Sequence, residues 1–262
     1  MSTKNEKHLL TWKEIMPWQR DNEFILTSYR VASFSYAKSI WSAFRIHNET
    51  ANIWSHCLGA IWFLFSLMQY VEFKRILAVN DNQDSLAIVL YYMSVVMHKF
   101  GNELDHLGIV LVMWGTGISG THFAFHKDEY LRRLYAALLT ATGLGCAVFT
   151  LQAKFRQPAY RTTRFLMYVF LGTSLFAPVA HGLMCYGQDL EAMMGLQSFL
   201  GLAIINFTGA AIYAARIPER WFPRAFDLLG QSHNIMHVMV LTGALVRLHG
   251  LLEVARYWEA PV

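Results

Sequence analysis

Seven stretches of this chain stay apolar for far longer than a strand requires: roughly 52–72, 86–100, 105–126, 131–151, 164–183, 193–215 and 231–252. A membrane-crossing helix needs about 20 apolar residues, a crossing strand only about 10. Lipid offers no partner for backbone N–H and C=O groups, so only helices and closed barrels span a bilayer. Runs this long and this uniform point to helices. Composition agrees, since only 15% of residues are charged, against about 25% in a soluble domain. The expected fold class is an all-α membrane protein, a seven-transmembrane helix bundle. The second run is the weakest, with a core of only about 15 residues. Pro178 is expected to kink the fifth, because proline removes a backbone donor.

Lysine and arginine set the orientation. With the N-terminus inside, the cytoplasmic side carries Lys38, Arg45, Lys99, Lys154, Arg156, Arg161, Arg164, Arg216, Arg220 and Arg224, plus earlier basic residues. The opposite side carries Lys74, Arg75, Lys127, Arg132, Arg133, Arg247 and Arg256. The inside count wins by about two to one. The N-terminus is therefore expected to be cytoplasmic and the C-terminus extracytoplasmic. Residues 1–51 read as a cytoplasmic segment, 52–252 as the transmembrane domain and 253–262 as a short tail. Within the first segment, Phe34, Ala37, Ile40, Trp41 and Phe44 recur at helical spacing. That pattern predicts an interfacial helix over about 33–46, or one capping the bundle. The polar start lacks a basic-then-apolar signal pattern, so insertion is expected to begin at an internal span. Cys57, Cys146 and Cys185 are too few and scattered for a disulfide framework. The net charge of +4 is absorbed by membrane orientation, and no nucleic-acid partner is expected.

Histidine is the residue out of place. "SVVMH" puts Ser94 and His98 four apart, and "HNIMH" does the same for His233 and His237. Residues i and i+4 share a helix face. In the seven-span topology the second span ends, and the third and seventh begin, at the cytoplasmic face. His98, Asp105, His233 and His237 would then lie at one depth. Three imidazoles suit Zn2+, with a fourth position open to water beside the Asp105 carboxylate. Ser94 could steady that water or a ligand imidazole. A membrane histidine that merely bonds a neighbouring helix is the plainer reading. His47, His56 and His106 are rival ligands on the same side, His56 foremost. "THFAFH" repeats the spacing in His122 and His126, which with His181 fall at the outer face. They could form a second metal site, but no carboxylate is expected within the helices beside them, and contact with headgroups is the simpler expectation.

Four blocks carry a resemblance: "RIHNETANIWSH" (45–56), "SVVMH" (94–98), "ELDHLGI" (103–109) and "YAARIPERWFPRAFDLLGQSHNIMH" (213–237). They resemble the adiponectin receptor group of the progestin and adipoQ receptor family, which includes the fungal Izh membrane proteins and is related to bacterial hemolysin III proteins. The similarity covers about residues 28–252. It implies seven helices with the N-terminus inside, and zinc held by His98, His233 and His237 near the cytoplasmic leaflet. It also implies that Asp105 holds the metal's water, that Ser94 lies beside the site, and that His56 is not a ligand. The turn between His98 and Asp105 looks shorter than in the animal receptors.

Members of that group are described as hormone receptors and as suspected zinc-dependent lipid hydrolases acting on ceramide. Fungal members are linked to zinc and sterol homeostasis. Two activities are therefore expected to compete: a ceramidase-type amidohydrolase using Asp105 as general base, and a signalling receptor with structural zinc and an extracellular ligand. The short outer loops carry no recognisable binding module. Zinc transport is disfavoured, because the third span is apolar apart from His106, Thr116, Ser119 and Thr121. Membrane sphingolipid is the expected partner, and the plasma membrane or an endomembrane the expected location; small residues such as Gly143 and Gly145 serve a monomer or an oligomer equally.

Overall fold

A computed structural model describes residues 9–33, 35–76, 82–96, 102–156 and 158–259. It is all-helical: α1 Tyr36–Ser42, α2 Thr50–Ile76, α3 Asn82–Val96, α4 Asn102–Ala124, α5 Glu129–Leu151, α6 Arg161–Ser174, α7 Phe176–Tyr186, α8 Leu190–Met194, α9 Leu196–Ala215 and α10 Ser232–Glu259. The one strand-like pairing among the described residues is an isolated antiparallel bridge, Leu10 to Tyr29. Six segments are long and apolar enough to cross a membrane: Thr50–Glu72, Leu107–Ala124, Glu129–Leu151, Thr162–Met194, Leu196–Ala215 and Ser232–Trp258. The weak second run appears as a shorter apolar helix, Asp84–Met93. α10 continues to Glu259, past residue 252 where the apolar pattern ends, and Val254 and Ala255 continue its buried face.

Two runs that read as continuous helices are broken. The fifth divides at Leu175 between α6 and α7. The break lies just N-terminal to Pro178, whose ring conflicts with the carbonyl four residues back, that of Ser174. The sixth divides at Gly195, whose φ of +66° and ψ of 58° close α8 in the left-handed conformation that glycine adopts freely. A broken helix leaves carbonyls without partners, which is costly where water is absent. Arg247 answers this: fully buried, it donates to Met194 O at 2.9 Å, Gly195 O at 3.1 Å and Ser198 Oγ at 3.0 Å. The orientation count placed Arg247 among cations at the outer boundary; it is instead an internal clamp. At Gly250 any side chain would run into Ser198.

By internal contacts the chain divides into two units, residues 1–57 with 205–241 and residues 58–204 with 242–262. In the second, α4 packs along α3 and α5, and Val110, Cys146 and Leu171 form a buried cluster. In the first, Leu10 N donates to Tyr29 O at 2.7 Å and Trp12 N to Leu26 O at 2.9 Å, so the N-terminal segment doubles back around Ile15, Ile25 and Tyr29. The predicted interfacial helix is a seven-residue α1. Trp41 within it and Phe44 just beyond it are exposed, and Phe44 meets Trp54 edge to face.

Candidate functional site

α10 opens with His233 and His237, four apart and therefore on one face. Their Nε2 atoms lie 2.9 Å apart. His237 is 4% exposed, and His56 from α2 packs edge-on against it at 4.0 Å between ring centres. On the other side of His233, Asn52 Nδ2 sits 3.0 Å from Nδ1. The Asn52 amide is oriented by two further bonds. Its nitrogen donates to Glu49 Oε2 at 2.7 Å, and its oxygen accepts from Asn234 Nδ2 at 2.7 Å. With that amide fixed, His233 Nδ1 accepts and its Nε2 carries the proton shared with His237. The Glu49 carboxylate, 3.8 Å from Nδ1, is placed to take a proton there if Nε2 gives its own up.

The start of α10 is held by residues far away in sequence. Glu219 is fully buried. Its carboxylate accepts from Ser232 N at 2.7 Å, from the Ser232 hydroxyl, and from Asn22 Nδ2 at 2.9 Å. A carboxylate on the first N–H groups of a helix satisfies donors that have no intrahelical partner, and it meets the positive end of the helix dipole. Asp227 accepts from Thr27 Oγ1 at 2.6 Å, Thr27 N at 2.8 Å and Leu26 N at 3.2 Å. Gln231 donates to Asn48 O at 2.7 Å, and Arg216 pairs with Glu23. The polar residues of "RIPERWFPRAFDLLGQSHN" are thus largely fasteners between the 216–234 segment and residues 21–52.

His47, once a rival ligand, is committed elsewhere. It is 1% exposed, receives Glu49 N at Nδ1 (3.1 Å) and lies 3.2 Å from Ser42 O through Nε2. Burial, reinforced by the Arg30 guanidinium, pushes its pKa below the ordinary histidine value.

A second cluster joins the first turn of α3 to the end of α4. Asp84 is 1% exposed. Its Oδ1 lies 2.6 Å from His122 Nε2 and 3.1 Å from His126 Nε2. Among the described residues, these three form a group whose ligand atoms all lie within 4.8 Å of one another, and which could hold a metal ion. The expectation that no carboxylate stands beside His122 and His126 is therefore corrected. Asp84 sits just before the apolar run that began at residue 86, so it read as a loop acid. His181 takes no part in the group; it bonds Tyr135 Oη at 2.9 Å.

Of the residues expected to form the zinc site, His233 and His237 come together. His98 lies outside the described residues. Ser94 and Asp105 belong to α3 and α4, but their side chains also fall outside the described set. Pattern reading passed over Glu49, Asn52 and Glu219, although the first two sit within the block quoted around His56.

The haemolysin-III-related family profile matches residues 44–248. The ADIPOR-like receptor IZH2 of Saccharomyces cerevisiae is 31% identical, over 94% of this chain and 84% of its own length. The adiponectin receptor protein of Drosophila melanogaster is 30% identical over 94% of this chain; the chain spans only 59% of that longer protein. Heptahelical transmembrane protein 3 of Arabidopsis thaliana is 26% identical over 93% of this chain and 86% of its own length. With six helical segments fit to cross a bilayer, the chain is an integral multi-pass membrane protein and belongs to the haemolysin-III-related family, alongside the adiponectin receptor-like proteins.

Proposed function

We propose that the chain is a seven-span protein with a cytoplasmic N-terminus that hydrolyses a lipid amide of the ceramide type at a zinc site formed by His98, His233 and His237. The observation that carries this reading is the 2.9 Å separation of His233 Nε2 and His237 Nε2. Two nitrogens each about 2.0–2.1 Å from a tetrahedral ion lie about 3.3 Å apart, so the pair reaches one cation with a small opening of the two rings. The donor set is nitrogenous, which suits zinc rather than calcium or magnesium. The seventh span in this reading is the short α3, supported by its apolar stretch Asp84–Met93 and by the name of the heptahelical Arabidopsis relative.

Zinc held there supplies Lewis acidity and draws the pKa of water towards about 7. The protein's own groups do the rest. Glu49 accepts from the Nδ1–H that His233 carries once its Nε2 is a ligand, and His56 buttresses His237. Asp105 accepts a proton from the attacking water as its oxygen bonds to the amide carbonyl carbon. The carbon–nitrogen bond then breaks, the proton passes to the departing nitrogen, and the products are a fatty acid and a sphingoid amine. Ser94 steadies the water or a ligand imidazole. A second reading, a signalling receptor with structural zinc, is favoured by the names of its relatives, which are called receptors.

Asp105→Asn separates the two. Hydrolysis of labelled short-chain ceramide by the detergent-purified protein should collapse, while zinc content stays near that of the native protein. Undiminished turnover by this variant would remove Asp105 as the base. Absence of turnover in the zinc-loaded native protein would favour the receptor reading.

A further inference from the structure

We propose that Asp84, His122 and His126 form a second metal site, independent of the His233–His237 pair, that binds a divalent transition metal of the zinc class through one carboxylate oxygen and two imidazole nitrogens. His122 lies in the last turn of α4 and His126 in the turn that follows it, and the aspartate comes from the first turn of α3. All three ligand atoms already lie within 4.8 Å of one another. The present separations, 2.6 and 3.1 Å, are those of hydrogen bonds. Around an ion at about 2.0–2.1 Å they would open to about 3.3 Å, a change that small side-chain rotations supply. Each imidazole would keep its proton by carrying it on Nδ1.

Three features favour a cation here over a polar contact alone. Asp84 is almost wholly buried, and a buried carboxylate demands compensating charge. A divalent ion held among the three would supply that charge directly to the carboxylate. The aspartate–dihistidine set is a common transition-metal combination and a poor one for calcium, which prefers six to eight oxygens. His126 is also held in place. Its ring stacks on Trp258 at 4.1 Å between centres, and the Trp258 indole donates to Met193 O at 3.1 Å. Such support behind a ligand ring is what fixes its orientation. The His122 and His126 side chains are 12% and 28% exposed, so an ion can enter from solvent and water can complete its coordination.

The test uses the full chain purified in detergent, stripped by chelator and dialysed against Zn2+ alone. A His233→Ala/His237→Ala variant isolates the Asp84 cluster. It should still bind one equivalent of zinc, and adding Asp84→Asn with His126→Ala should abolish that binding. His126→Ala, a single change in the partly exposed turn after α4, guards against misfolding; in the His233→Ala/His237→Ala background it should weaken zinc binding by more than about tenfold. No zinc on a folded His233→Ala/His237→Ala protein would overturn the proposal, as would unchanged affinity after His126→Ala. Neither result bears on whether the His233–His237 pair binds zinc, because each outcome is read with that pair removed.

Discussion

Glu219→Gln should be among the most damaging conservative substitutions in the chain, although it removes only a charge. The carboxylate is fully buried and receives three donors, Ser232 N, the Ser232 hydroxyl and Asn22 Nδ2. Glutamine offers one oxygen. With its amide oxygen facing Ser232 N, its NH2 points at the Asn22 amide nitrogen, donor against donor; turned the other way, it opposes the helix N–H. One bond to a charged acceptor, about 1.5–3 kcal/mol, is lost outright, and the others fall to neutral strength. The interaction with the start of α10 costs about another 0.3–1 kcal/mol. These losses overlap, so about 3 kcal/mol is the expected total. At about 2–4 °C per kcal/mol for a chain of this size, the thermal midpoint of helicity loss in detergent should fall by about 10 °C. Asn22→Ala removes one donor to Glu219 and the acceptor of Phe24 N and should cost about 1–2 kcal/mol. Glu129→Gln breaks an exposed ion pair with Arg133 and should cost well under 1 kcal/mol. If Glu219→Gln proves no worse than these two controls, the carboxylate is not the fastener of α10 that its geometry indicates.

If the proposed zinc site forms, Glu49→Gln should lower its zinc affinity by about 10- to 100-fold, because no carboxylate then accepts the Nδ1 proton of a metal-bound His233; equilibrium dialysis reads this directly, and unchanged affinity would remove Glu49 as the group that orients that ring. His47 has a folded pKa below its unfolded value, so the unfolded state takes up a proton that the native state refuses. Stability is then fully present above about pH 6.5 and is lost as pH falls below it. Melting temperature recorded from pH 7.5 to 5 should drop, and His47→Gln should flatten that slope.

What the sequence reveals divides along physical lines. Spans were legible because apolar length is a local property and the bilayer imposes it. The meeting of His233 and His237 was legible for the same reason, since helical pitch alone puts i and i+4 together. The breaks at Leu175 and Gly195 were hidden, because apolar composition runs through both. Only Pro178 hinted at the first, and nothing local hinted that Arg247 would supply the donors the second requires. Asp84 was hidden by its position two residues outside an apolar window. A carboxylate there is a loop residue or the buried partner of His122 depending on how α3 meets α4.

The fasteners were the least legible of all, because each joins residues nearly two hundred positions apart: Asn22 with Glu219, Thr27 with Asp227, Asn52 with His233. A pattern search along the chain cannot pair them. Their arrangement nevertheless explains why the block around His233 is so rich in polar groups. A helix that must present two imidazoles at a fixed separation needs its first turn immobilised, and the N–H groups of that turn are the natural handles. Glu219 takes Ser232 directly, Asn234 reaches Asn52, and Asn52 reaches His233. The imidazole pair is thereby fixed by the same hydrogen bonds that hold the N-terminal segment in place. Loosening that segment, by Asp227→Asn for example, should therefore loosen the histidines without touching either of them.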